Sequence, residues 1–65
     1  MQIKLNGKDI KTNSKTLGSL IQEYNLSLNK IAIEYNGEVI PKSQLDNYII
    51  QSNSSVEIIT FVGGG

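Results

Sequence analysis

Two Asn-Gly pairs, Asn6-Gly7 and Asn36-Gly37, constrain the fold of this chain more than any other feature. Both residues of such a pair accept positive φ, which a tight two-residue hairpin turn requires. Before the first pair, Met1, Ile3 and Leu5 alternate with Gln2 and Lys4; after it, Ile10 faces inward on a strand running to about Thr12. Before the second pair, Ile31, Ile33 and Tyr35 alternate with Ala32 and Glu34, and the turn closes onto Glu38-Val39-Ile40. This is the two-residue period of half-buried strands. Pro41 stops the fourth strand, because proline cannot donate to a ladder.

Between the hairpins the period changes. Leu17, Leu20, Ile21 and Tyr24 fall on one stripe of an amphipathic helix. Thr16 or Ser14 supplies the N-cap oxygen, and Asn25 suits a left-handed residue just past the C-terminus. Gly18 weakens such a helix by up to about 1 kcal/mol relative to alanine, so it is expected to allow close approach to the sheet. Leu26 and Leu28 are expected to pack beneath the connection to the third strand. Residues Lys42 to Tyr48 read as a short helical turn with Leu45 and Tyr48 inward. The polar run Ser52-Asn53-Ser54-Ser55 leads into a last strand from Val56 to Phe61.

Alternation along that last strand puts Val56 and Ile58 in the core and Ile59 and Phe61 on the outer face with Glu57. Two bulky apolar side chains there would form an exposed patch, the kind of surface that marks binding sites. The strand needs apolar neighbours on both sides, so its place is the sheet centre, beside the first strand and parallel to it. The expected architecture is α+β: a mixed sheet of four to five strands, one main helix packed on one face, and a C-terminal tail.

The chain has 65 residues, which makes one domain over 1–65 with 62–65 as an extended tail. A domain of that size buries only about 60% of its potential surface and has no room for a deep catalytic cavity. Cys and His are both absent, which removes thiol nucleophiles, disulfides, the commonest metal ligands and the usual neutral-pH acid–base group. Six lysines balance six acidic residues, whereas a nucleic-acid binder shows a basic excess. With no apolar run of membrane-spanning length and no signal peptide, a soluble cytoplasmic monomer is expected. An enzyme acting on its own is not.

The chain ends Phe61-Val62-Gly63-Gly64-Gly65. Glycines placed last after an apolar strand pack no core. They can lie extended in a channel too narrow for side chains and present the Gly65 carboxylate to another protein's catalytic site. From Val62 to Gly65 the reach is roughly 13 Å, at about 3.3–3.6 Å per residue. A frayed chain end is the plain alternative.

Three segments taken together resemble one family: Met-Gln-Ile-Lys-Leu-Asn-Gly at the start, the run from Ile31 to Pro41, and Val56 to Gly65. Across essentially the whole chain they are similar to the ubiquitin-like, β-grasp sulfur carriers of thiamine biosynthesis, the ThiS family. Ser52 to Ser55 replace the family's usual Gly-Asp turn, and Lys42 stands where an Arg is common. The small subunit of molybdopterin synthase looks similar but approaches its diglycine through a proline, which Thr60-Phe61-Val62 lacks.

The resemblance implies that Gly65 carries the sulfur, that Gly64 and Gly63 thread the partner's active site, and that Ile59, Phe61 and Val62 dock. An E1-like adenylating enzyme would activate the carboxylate with its own ATP and magnesium, so this chain binds no cofactor itself. A cysteine desulfurase or another persulfide donor would supply sulfur, and thiazole synthase would take it from the resulting thiocarboxylate. A ubiquitin-like protein modifier, or a molybdopterin-type carrier, is the alternative.

Overall fold

The computed structural model describes residues 1–61. Five strands form one sheet: β1 (Gln2–Leu5), β2 (Lys8–Lys11), β3 (Ile31–Tyr35), β4 (Glu38–Ile40) and β5 (Ser55–Thr60). One helix, α1 (Leu17–Glu23), crosses it, and two 3-10 turns, Leu28–Lys30 and Lys42–Asn47, complete the set. The strand order is β2-β1-β5-β3-β4. β5, the last to be made, lies at the centre, parallel to β1 and antiparallel to β3. This is the expected α+β arrangement, with five strands rather than four.

The alternation read from the sequence explains the core. Ile3, Ile31, Ile33, Tyr35, Ile40 and Val56 point to the inner face, where Leu17, Leu20 and Ile21 of α1 cover them together with Leu45 and Ile50. Val56 is completely buried, as a central strand requires. The Tyr35 and Tyr48 rings meet edge to face with centroids 5.0 Å apart, and the Tyr35 hydroxyl accepts from the Gln51 amide at 2.9 Å.

Both hairpins turn as their Asn-Gly pairs require, with φ of 50° and 83° at Asn6 and Gly7 and of 50° and 87° at Asn36 and Gly37. Each asparagine also does something that its own hairpin does not explain. The Asn36 amide donates to the Ser55 carbonyl at 2.7 Å, while its Oδ1 accepts from the Ser55 amide at 2.8 Å. The Asn6 amide donates to the Val56 carbonyl at 2.9 Å, and its Oδ1 accepts from the Ile58 amide at 2.8 Å. The two turns thus grip β5 from opposite sides and prolong its ladder with side-chain oxygens. Asn36→Ala removes that acceptor and puts a Cβ-bearing residue without a local hydrogen bond in the left-handed region. It should cost about 1–3 kcal/mol in urea unfolding, whereas Asn36→Asp, which keeps the acceptor, should stay close to wild type.

Several expectations are corrected. Tyr24 does not complete the inward stripe: the helix stops at Glu23, Tyr24 is its C-cap, and its side chain is exposed. Asn25 has the left-handed φ of 55° expected of it, so the chain turns away before a further helical turn can carry Tyr24 inward. Leu26 packs against the core, but Leu28 begins the first 3-10 turn, none of whose residues is buried. Gly18 approaches the second 3-10 turn and not the sheet: a Cβ there would run into the Asp46 side chain and lie 3.1 Å from the Asp46 Cα.

Thr16 is the N-cap, its Oγ1 accepting from the Ser19 amide at 3.1 Å. Ser14 serves elsewhere. Its hydroxyl and that of Thr12 both donate to Glu23 Oε1 at 2.7 Å, tying the end of α1 to the loop that precedes it. These two bonds, Thr12 first, hold the Glu23 carboxyl below its ordinary range. The second strand ends at Lys11 and β5 spans Ser55–Thr60, each a residue earlier than expected. The polar run before β5 forms its entry: Asn53 takes a positive φ of 66° and its amide donates to the Gln2 carbonyl at 2.7 Å.

Candidate functional site

The end of β5 gathers the described part of the candidate site. Ile58 faces inward and packs on the core. Ile59 and Phe61 face outward and are 41% and 55% exposed, as alternation about the buried Val56 demands. Ile59 sits opposite Ala32 of β3, and Glu57, one step further back on the same face, sits opposite Glu34. Glu34 in turn is opposite Val39 of β4, whose side chain is 64% exposed. The outer face therefore carries an apolar stretch, Ile59 with Ala32 and Phe61, next to a pair of carboxylates placed directly across from each other.

Val39 and Ala32 were not singled out from the sequence. The signal for Val39 was present: it alternates with Ile40, and Ile40 is buried.

The ladder between β3 and β5 continues one bond past the last paired residues. Ile31 is opposite Thr60, and the Phe61 amide then donates to the Lys30 carbonyl at 2.8 Å. Lys30 belongs to the first 3-10 turn, where its own amide donates to the Ser27 carbonyl at 3.1 Å. On this side β3 is preceded by the 3-10 turn Leu28–Lys30. No sequence pattern marked Lys30, because its contribution is a main-chain carbonyl. Of the residues assigned to the site, Val62, Gly63, Gly64 and Gly65 lie outside the described residues.

Among the described residues no group of three or more acidic, histidine or cysteine side chains could hold a metal ion. Among the described residues no helix is long and apolar enough to cross a membrane. The described surface carries an exposed apolar patch, Ile59 and Phe61, where β5 ends.

Comparison with known proteins agrees with this geometry. The sequence profile of the ThiS family matches residues 3–65. The sulfur carrier protein ThiS of Bacillus subtilis is 34% identical over 65 residues, covering 97% of this chain and 98% of that protein. A thiazole synthase of Paramagnetospirillum magneticum is 32% identical over 66 residues, which take in all of this chain but only 20% of that much longer relative. The crystal structure of the thiamine biosynthesis protein ThiS from Geobacter metallireducens superposes with a TM-score of 0.85 at 25% identity, over the full length of both chains. With the sheet order, the exposed end of β5 and a family match that runs through the terminal glycines all in agreement, this chain belongs to the ThiS family.

Proposed function

We propose that this chain is a sulfur carrier in thiamine biosynthesis, a protein co-substrate whose Gly65 carboxylate is the reacting group. The observation that carries the reading is the course of β5. β5, central in the sheet and paired on both sides, ends beside an exposed apolar face and leads directly into Val62-Gly63-Gly64-Gly65. The family match supports it.

A free carboxylate is anionic at neutral pH, with an unperturbed pKa of about 3.3–3.7, and it is a poor acyl donor. The sequence of steps therefore starts with activation. A carboxylate oxygen of Gly65 attacks the α-phosphorus of ATP on an adenylating partner, and pyrophosphate leaves. The terminal sulfur of a persulfide donor then attacks the carbonyl carbon and AMP leaves, giving an acyl disulfide. A thiol cleaves that disulfide, becoming disulfide-bonded to the donor, and the Gly65 thiocarboxylate is released. Thiazole synthase takes the sulfur from it at the sulfide level, and an oxygen from water or from the sulfur acceptor takes its place on the acyl carbon, which regenerates the carboxylate. The match of this chain to one fifth of a thiazole synthase supports that partner. Gly64 and Gly63 leave the partner's slot narrow, so that the reacting carbonyl comes within about 3–3.5 Å of its attacker.

The test is the intact mass of the chain before and after incubation with adenylating enzyme, ATP and a persulfide donor. Replacement of one oxygen by one sulfur at Gly65, dependent on ATP, supports the carrier reading. Attachment of the chain to lysines of other proteins, with no such exchange, would replace it with a protein modifier.

Ile59, Phe61 and Val62 form the docking element in this reading. Phe61 is more than half exposed and outside the core cluster, so Phe61→Ser should leave the thermal midpoint nearly unchanged. It should weaken the adenylating partner's hold by about 1–3 kcal/mol, the range for losing a large apolar contact at an interface. Titration calorimetry beside a melting curve separates the two effects, and a large stability loss at unchanged affinity would assign Phe61 to the core.

A further inference from the structure

We infer that the fold sets the working length of the tail by locking the register of β5. The inference rests on the carrier reading and concerns what that reading leaves open, namely what determines how far Gly65 reaches.

Three bonds beyond the paired strand residues hold β5 along its length. Asn36 Oδ1 takes the Ser55 amide at 2.8 Å, Asn6 Oδ1 takes the Ile58 amide at 2.8 Å, and the Lys30 carbonyl takes the Phe61 amide at 2.8 Å. They come from the first hairpin, the second hairpin and the turn before β3, so no single local rearrangement releases all three. A slip of one residue would turn the buried Val56 to the outer face, as it would every side chain of the strand. A slip of two would keep the faces but break all three bonds.

The last of these bonds is the reference point. Lys30 lies in the 3-10 turn that precedes β3, and its bond to Phe61 is the last one described along β5. Four residues, Val62 to Gly65, separate that point from the carboxylate, a reach of roughly 13 Å. Docking through Ile59 and Phe61 would fix the same end of β5 against the partner. Reach and docking are thus measured from one place, and Lys30, Asn6 and Asn36 are positioning residues that touch no reacting atom.

The consequence is a dependence on length that is separate from composition. One added residue moves the carboxylate by about 3.3–3.6 Å, whereas a misplacement of about 1 Å can already cost 10²-fold. Two variants of equal length test this: one glycine inserted between Phe61 and Val62, and one glycine appended after Gly65. Sulfur uptake is followed by intact mass with the adenylating enzyme, ATP and a persulfide donor, with the unaltered chain run in parallel.

Both variants should convert about 10²-fold more slowly than the unaltered chain. In the appended variant the change should fall on kcat and leave KM for the carrier in place, since Ile59, Phe61 and Val62 are untouched. Amide exchange at Phe61 should stay slow in all three proteins, reporting that the reference point is intact. Conversion of the inserted variant at the normal rate overturns the inference while the carrier reading stands. A fast-exchanging Phe61 amide in the unaltered chain overturns it as well. No sulfur uptake by the unaltered chain overturns both.

Discussion

Removing Gly65, or replacing it with alanine, should leave the protein folded and reduce thiocarboxylate formation by about 10²-fold or more. The two halves of this expectation have separate causes. The core and the side chains packed against it run from Ile3 to Ile58, so a change at residue 65 removes nothing that holds the sheet to the helix. The unfolding midpoint and its denaturant dependence should match those of the unaltered chain. The chemistry is another matter. Deletion withdraws the carboxylate by one residue, and in the proposed carrier role a methyl group on Gly65 would widen a terminus that has to enter the partner's narrow slot. Intact mass after incubation with the partner set measures the loss directly. Normal conversion of either variant would remove the reason for a glycine at the terminus, and with it the reading of the tail as the reacting end.

A single methyl group added at Gly18 should have a marked effect on stability. Alanine there gains about 1 kcal/mol in helix propensity, yet the protein should become less stable by up to about 2 kcal/mol. The new Cβ would meet the Asp46 carboxylate and press on the Asp46 backbone, with 3.1 Å to its Cα. A crowded contact of this kind costs about 1–3 kcal/mol. A domain of this size has only about 3–10 kcal/mol in total, so the loss is a large share.

Asp46→Ala supplies the control. Its carboxylate is the nearest obstacle, so the double variant Gly18→Ala/Asp46→Ala should recover part of the loss and leave the part due to the backbone. Urea unfolding of the four proteins yields the coupling, expected at about 0.5–3 kcal/mol. Additive effects would mean that α1 and the second 3-10 turn do not meet at Gly18.

Much of this fold was legible because its signals are local. Alternation in Ile31-Ala32-Ile33-Glu34-Tyr35 needs only the pleat of a strand to place its faces. The turns at Asn6-Gly7 and Asn36-Gly37 need only the conformational tolerance of two residues. The outward direction of Ile59 and Phe61 followed from Val56 by the same rule, and so did the exposed patch. Tyr24 was misplaced because periodicity indicates which residues share a face but not where the helix stops. Leu28 was misplaced because an apolar residue in a connection carries no periodic partner. Gly18 was read correctly as a point of close approach, but its neighbour was misassigned, since the second 3-10 turn lies far away in the chain.

The sequence by itself determined the strands, the helix, their inner faces and the glycine end, because each depends on the chemistry of neighbouring residues and on backbone sterics. The tertiary structure alone decided which main-chain groups hold β5 in place. Asn6 reaches Ile58, Asn36 reaches Ser55 and the Lys30 carbonyl takes the Phe61 amide. A hydrogen bond between residues far apart in the chain leaves no periodic trace, since any asparagine or any peptide group could make it. Only the folded path brings those partners within reach.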